Sequence, residues 1–158
     1  NLTKLVSIGF TEGFYYKPRI DKEVLEKYHE GLICCSACLA GEIPQAILKG
    51  DMDEAEKAAM WFKNVFGEDY YLEIQNNGIN EQVLVNQKLV ELSHKLDIPL
   101  VATNDSHYLK KEDAYNHEIL LCIQTGKKIT DDDRMRFETD ELYIKSPEVI
   151  ISRAYQKQ

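Results

Sequence analysis

Short apolar runs alternate with amphipathic stretches along this chain, and that alternation limits the fold more than any other feature. Gly31–Ser36, Tyr70–Gln75 and Pro99–Thr103 read as strands, with a fourth short one at Leu142–Lys145. Helical spacing fills the intervals. Leu2, Leu5, Val6 and Phe10 share one helical face, and Asp21 caps a short helix to about Tyr28. Asp51 opens a helix through Val65 that Gly67 stops. Val85, Leu89, Leu92 and Leu96 form a stripe within Glu81–Leu96. Asp113–Thr125 follows, and Pro147 stands at the first position of a last helix. Such βαβ alternation predicts a mostly parallel sheet with right-handed crossovers. With 158 residues and no linker, repeat or low-complexity tract, residues 1–158 are expected to form one domain. Three or four strands are few for a parallel sheet covered on both faces, which suggests a fragment of a larger barrel or sheet.

The strand at Pro99–Thr103 leads directly into Asn104-Asp105-Ser106-His107. Loops at the carboxyl ends of parallel strands hold the chemistry of α/β folds. There Asp105 and His107, two residues apart on extended backbone, place a carboxylate and an imidazole on one side, where both can grip a divalent cation. Asp and His also recur in ordinary turns, so the pair gains its meaning from its position. Cys34, Cys35 and Cys38 crowd together, and Cys122 stands apart. Cys35-Ser-Ala-Cys38 has the Cys-x-x-Cys spacing, but no second pair completes a closed zinc site, and Cys34, Cys35 and Cys122 read most simply as small core residues. Disulfides are not expected in a chain without a secretion pattern. No apolar run is long enough to span a bilayer, which points to the cytoplasm. A net charge of −8 argues against nucleic-acid binding through the overall field.

Four blocks in order carry a resemblance: Gly13–Asp21, Cys38-Leu-Ala-Gly-Glu-Ile-Pro44, Ala102-Thr-Asn-Asp-Ser-His-Tyr-Leu109 and Leu120-Leu-Cys-Ile-Gln-Thr-Gly-Lys127. Through them the chain resembles the PHP (polymerase and histidinol phosphatase) domain of the bacterial DNA polymerase III alpha subunit, over nearly its whole length. The resemblance implies an α/β fold that is part of a distorted β/α barrel, with a metal cluster at the carboxyl ends of its strands. It maps metal ligands onto Asp105, His107 and Cys38; by residue pattern alone Cys38 is one thiol among several. The family's opening His-x-His pair precedes the segment matched by Asn1-Leu2-Thr3-Lys4-Leu5, so three ligands are expected here. Three protein ligands suit one zinc with an open position, with manganese or magnesium as alternatives.

The implied function is a structural, metal-binding part of a nucleotidyltransferase in DNA replication, with no polymerase carboxylates of its own. One alternative is metal-dependent phosphoester hydrolysis by the complete domain, as exonuclease or pyrophosphatase. Another is a platform for replisome subunits. The implied partners are the rest of the alpha subunit, an exonuclease subunit, and DNA through the full polymerase rather than this acidic piece. Unpaired strand edges also predict self-association.

Other residues keep two readings. Lys17 and Arg19 sit in an aromatic-flanked loop and suit either phosphate contact or ion pairs with Asp21 or Glu23. Glu73 faces away from Leu72 and Ile74, as support for a metal ligand or as an exposed partner of a lysine. His117 reads as metal support or as packing. His29 and His94 read as solvated, and Asp131-Asp132-Asp133 as a solvated loop or cap.

Overall fold

A computed structural model of the chain describes residues 1–154. Its helices are α1 (Leu2–Thr11), α2 (Lys22–Lys27), α3 (Glu42–Leu48), α4 (Met52–Phe66), α5 (Asn80–Leu96), α6 (Ala114–Thr125) and α7 (Pro147–Ala154). Its strands are β1 (Cys34–Cys35), β2 (Tyr70–Ile74) and β3 (Leu100–Ala102). The helix starts follow local chemistry. The Asp21 carboxylate accepts the Val24 N–H at 2.9 Å, and the Asp51 carboxylate accepts the Glu54 N–H at 3.0 Å.

The three strands are parallel in the order β1-β2-β3. Cys34 pairs with Tyr70, and Leu72, Glu73 and Ile74 pair with Leu100, Val101 and Ala102. Tyr70 and Leu72 point to one face of β2, where Ile43 and Ile47 of α3, Ala55, Ala58 and Ala59 of α4, and Val85, Leu89 and Leu92 of α5 close over them. The alanines let α4 approach closely. Tyr70 lies fully buried, its ring stacked 5.4 Å from that of Phe62. Lys63 of α4 donates to the carbonyls of Leu96 and Asp97, at 2.6 and 3.0 Å, and so caps the C-terminus of α5 from outside it. Lys95 returns the tie with an ion pair to Glu56 at 2.5 Å.

The parallel α/β layout is as expected, and the described strands form an open three-stranded sheet. The strand expected at Gly31–Ser36 shrinks to Cys34–Cys35, since Leu32 is turned back by a hydrogen bond to His29. Among the described residues, Leu142–Lys145 makes a single parallel bridge, Tyr143 to Tyr108, instead of a strand. There the Asn104 side chain takes the Tyr143 carbonyl at 2.9 Å, a bond a ladder would have given to backbone. The helix expected from Asp113 starts with a tighter 3-10 turn, Lys111–Asp113. On α6 the buried residues are Leu121 and Cys122, while Leu120 and Ile123 are exposed. On α1, Leu5 is buried, but Leu2, Val6 and Phe10 are exposed beside an apolar groove that Ile33, Cys34 and Phe66 also line. No helix among the described residues is long and apolar enough to cross a membrane.

Candidate metal centre

Parallel strands bring all their carboxyl ends to one edge of the sheet, and the sequence-predicted site residues follow those ends. After β1 the chain turns through Ser36-Ala37-Cys38. The Ser36 N–H continues the ladder to the Tyr71 carbonyl at 3.0 Å, and the Ser36 hydroxyl accepts the Glu73 N–H at 2.8 Å. Ala37 then takes a left-handed backbone, φ 66°, a conformation that costs a non-glycine residue about 1–2 kcal/mol. Gly41 closes the turn by donating its N–H to the Cys38 carbonyl at 2.8 Å. A Cβ at Gly41 would stand 2.3 Å from the Ser36 carbonyl oxygen, so the loop leaves no room for a side chain there. Cys38 itself is exposed.

Past β3, Asn104 holds the Asp105–His107 loop in place. Its amide donates to the Ser106 hydroxyl at 2.5 Å and to the Tyr143 carbonyl. The His107 N–H donates to the Leu142 carbonyl at 2.8 Å. Asp105 Oδ1 stands 3.7 Å from His107 Nδ1, so the two predicted ligands are adjacent. His117 of α6 packs edge-on against His107, centroids 5.4 Å apart, with Phe137 against both rings and Tyr108 against that of His117. Burial first, and then the neighbouring His107, lower the His117 pKa and favour its neutral form. Packing and support of the His107 ring are here the same contact.

Glu73, on the central strand β2, lies between the Cys38 loop and the Asp105–His107 loop. It accepts hydrogen bonds from the Thr103 hydroxyl and, at 3.1 Å, from the Gln75 amide. No lysine pairs with it among the described residues. Burial, and secondarily the Glu73 charge, push the Cys35 thiol up, and Cys35 is exposed rather than a core residue. Cys34 is half-buried and its pKa is pushed up to about 11 by burial and then by Cys35; Cys122 is buried as expected.

Soft thiolate, imidazole and carboxylate together suit zinc. Among the described residues, however, no three His, Cys, Asp or Glu side chains lie close enough to share one ion. The structure joins Asp105 to His107 and leaves Cys38 on its own loop. The geometry of the sheet explains this. Neighbouring strands lie about 4.8 Å apart, so β1 and β3, with β2 between them, hold their loops roughly 10 Å apart. An open sheet keeps that spacing, whereas closure into a barrel turns strand ends toward a common axis.

Elsewhere the outcomes are mixed. Arg19 and Lys17 make no ion pair with Asp21 or Glu23; the Arg19 guanidinium instead lies over the Tyr15 ring, 5.4 Å from its centroid. His29 is half-buried edge-on against Phe66 rather than solvated, and His94 is exposed. The Asp131 carboxylate accepts the Lys128 N–H and Asp133 pairs with Lys127, which makes that run a loop of local ion pairs. Sequence reading missed Lys145. It is buried beside Asn104, donates to the Glu141 carbonyl, and lies over the Tyr143 ring at 4.2 Å. Its one signal was a lysine two residues past Tyr143 in an otherwise apolar segment.

Residues 1–77 match the model of the PHP domain family. The matched stretch includes the β1 loop and β2. The chain as a whole is similar to the protein named DNA polymerase III subunit alpha. It is 55% identical to that of Borreliella burgdorferi over 94% of this chain, 49% to that of Thermus aquaticus and 46% to that of Deinococcus radiodurans over the same share. It spans only 13%, 12% and 11% of the length of those relatives, respectively.

Proposed function

We propose that this chain is a metal-binding piece of the PHP domain of a replicative DNA polymerase III alpha subunit, with a structural role in DNA replication. Asp105 and His107 are the adjacent pair of ligands for a divalent metal, and Cys38 completes the set only when its loop closes toward them across the sheet edge, with zinc suited by the chemistry of the donors. A bound zinc supplies a Lewis acid. The chain's own residues do the positioning: Asn104 and Leu142 set the ligand loop, His117 flanks the His107 ring, and Glu73 links the stem of that loop to β2. One observation carries the reading. The parallel order β1-β2-β3 sends the Cys38 loop and the Asp105–His107 loop to the same edge, with Asp105 and His107 already in register.

The test is metal content by mass spectrometry on the intact protein and on Cys38→Ser, Asp105→Asn and His107→Asn. Each change lowers bound zinc, and His117→Ala or Glu73→Gln weakens binding by roughly 10–100-fold. Unchanged stoichiometry in a variant lacking all three ligands would sink the assignment.

The exposed apolar groove along α1 supports a second role as a docking surface, with the remainder of the alpha subunit as its occupant. An exonuclease subunit is a further candidate partner.

A further inference from the structure

We propose that the loop from Gly13 to Ile20 binds single-stranded DNA, with Tyr15 and Tyr16 stacking on bases and Lys17 and Arg19 meeting phosphates. This rests on the replication reading only for the choice of DNA over RNA.

The first ground is charge. In a chain of net charge −8, these eight residues hold two cations and no carboxylate. Neither Lys17 nor Arg19 lies within ion-pair distance of a carboxylate among the described residues. The second ground is the rings. Phe14, Tyr15 and Tyr16 are 58%, 63% and 82% exposed, although a soluble surface seldom presents three consecutive aromatics to water. Tyr15 and Tyr16 meet edge to face at 4.6 Å, and Arg19 covers Tyr15, so rings and cation form one surface.

The third ground is preorganisation. The base of the loop is pinched where the Arg19 N–H donates to the Gly13 carbonyl at 3.2 Å. A Cβ on Gly13 would come within 2.0 Å of the Arg19 carbonyl oxygen. At the tip the Tyr15 N–H donates to the Lys17 carbonyl at 3.1 Å. Tyr16 between them is held left-handed at φ 58°. That backbone is unusual for a bulky residue, and such strain concentrates at binding sites. Here it directs the most exposed ring of the loop into solvent. Rings that accept any base, beside cations that track a phosphate backbone, are the general design of single-strand binders.

The experiment is photocross-linking of the intact protein to oligothymidylate carrying iododeoxyuridine, followed by peptide mapping. A cross-link within residues 13–20 is expected. Tyr16→Ala and Tyr16→Gly each lower its yield about five-fold or more, while Tyr16→Phe retains it. Tyr16→Gly also relaxes the left-handed backbone, so preserved folding with lost cross-linking separates the ring from the fold. Lys17→Ala combined with Arg19→Ala flattens the salt dependence of the cross-link. Absence of a cross-link in this loop, or a yield indifferent to the Tyr16 ring, overturns the proposal. Zinc content measured on the unsubstituted protein keeps the outcomes apart: no cross-link in this loop with metal bound removes this inference alone, and a cross-link without bound metal removes the metal reading alone.

Discussion

Replacing Gly41 with alanine adds one methyl group where the Ser36 carbonyl oxygen stands 2.3 Å away and the Cys38 carbonyl oxygen 3.1 Å away. Both neighbours are backbone, so neither can swing aside as a long side chain would. Overpacking of this kind costs about 1–3 kcal/mol. If the turn shifts to make room, the hydrogen bond from the Glu73 N–H to the Ser36 hydroxyl stretches, which adds about 1 kcal/mol. The expected loss is therefore ~2–4 kcal/mol. Gly41 is also the N-cap of α3, and a glycine-to-alanine change at a cap supplies a competing explanation. Gly41→Ser separates the two, because serine restores a capping oxygen but keeps the Cβ. Urea denaturation followed by the fluorescence of Trp61, the one tryptophan, reads both variants. If the clash decides, both are destabilised; recovery of wild-type stability by serine, or a loss in Gly41→Ala under about 0.5 kcal/mol, refutes the steric argument. Zinc affinity should fall alongside, since the displaced turn carries Cys38.

Leu89→Ala, at the centre of the α5 contact with the sheet, should cost about 2–5 kcal/mol in the same denaturation assay. Cys34 has a folded-state pKa above its ordinary value of 9.0, at about 11. Its protonated form therefore favours folding below pH 9, and that contribution is lost as pH rises through about 11; a Cys34→Ala variant should show a shallower fall in stability over this window. Alkylation with iodoacetamide at mildly alkaline pH should label exposed Cys38 before Cys34, and mass mapping that finds the opposite order would contradict the assigned burial. The free edge of β1 and the apolar face of α1 predict self-association of the 158-residue chain, and light scattering showing a monomer at high concentration would count against it.

The elements most legible in the sequence were those with strong local chemistry. Asp21 and Asp51 cap the helices they were expected to start, and the Val85–Leu89–Leu92 stripe is the buried side of α5. The ends of β2 and β3 were legible because apolar runs stop there. What sequence could not supply was side-chain placement across elements. Leu120 and Ile123 follow a helical apolar pattern, yet their exposure depends on what packs against α6. The link from Glu73 to Thr103 depends on strand order, and the contact of His117 with His107 on how α6 folds back against the loop after β3, neither of which a local pattern encodes. Lys145 was invisible for the same reason: it is buried beside Asn104, 41 residues away in the chain, as well as beside the nearby Glu141.

The reciprocal ties between α4 and α5, Lys63 to the end of one helix and Lys95 to the flank of the other, have a dynamic consequence. Neither helix can open without breaking the other's end contacts, so the two should exchange their amide hydrogens as one slow unit. Among the described residues the Gly13–Ile20 loop has no ion pair to another element and should exchange early. The Asp105–His107 loop is anchored on two sides, through β3 to this slow layer and through His117 to α6, where the next residue, Glu118, is itself held by Arg134.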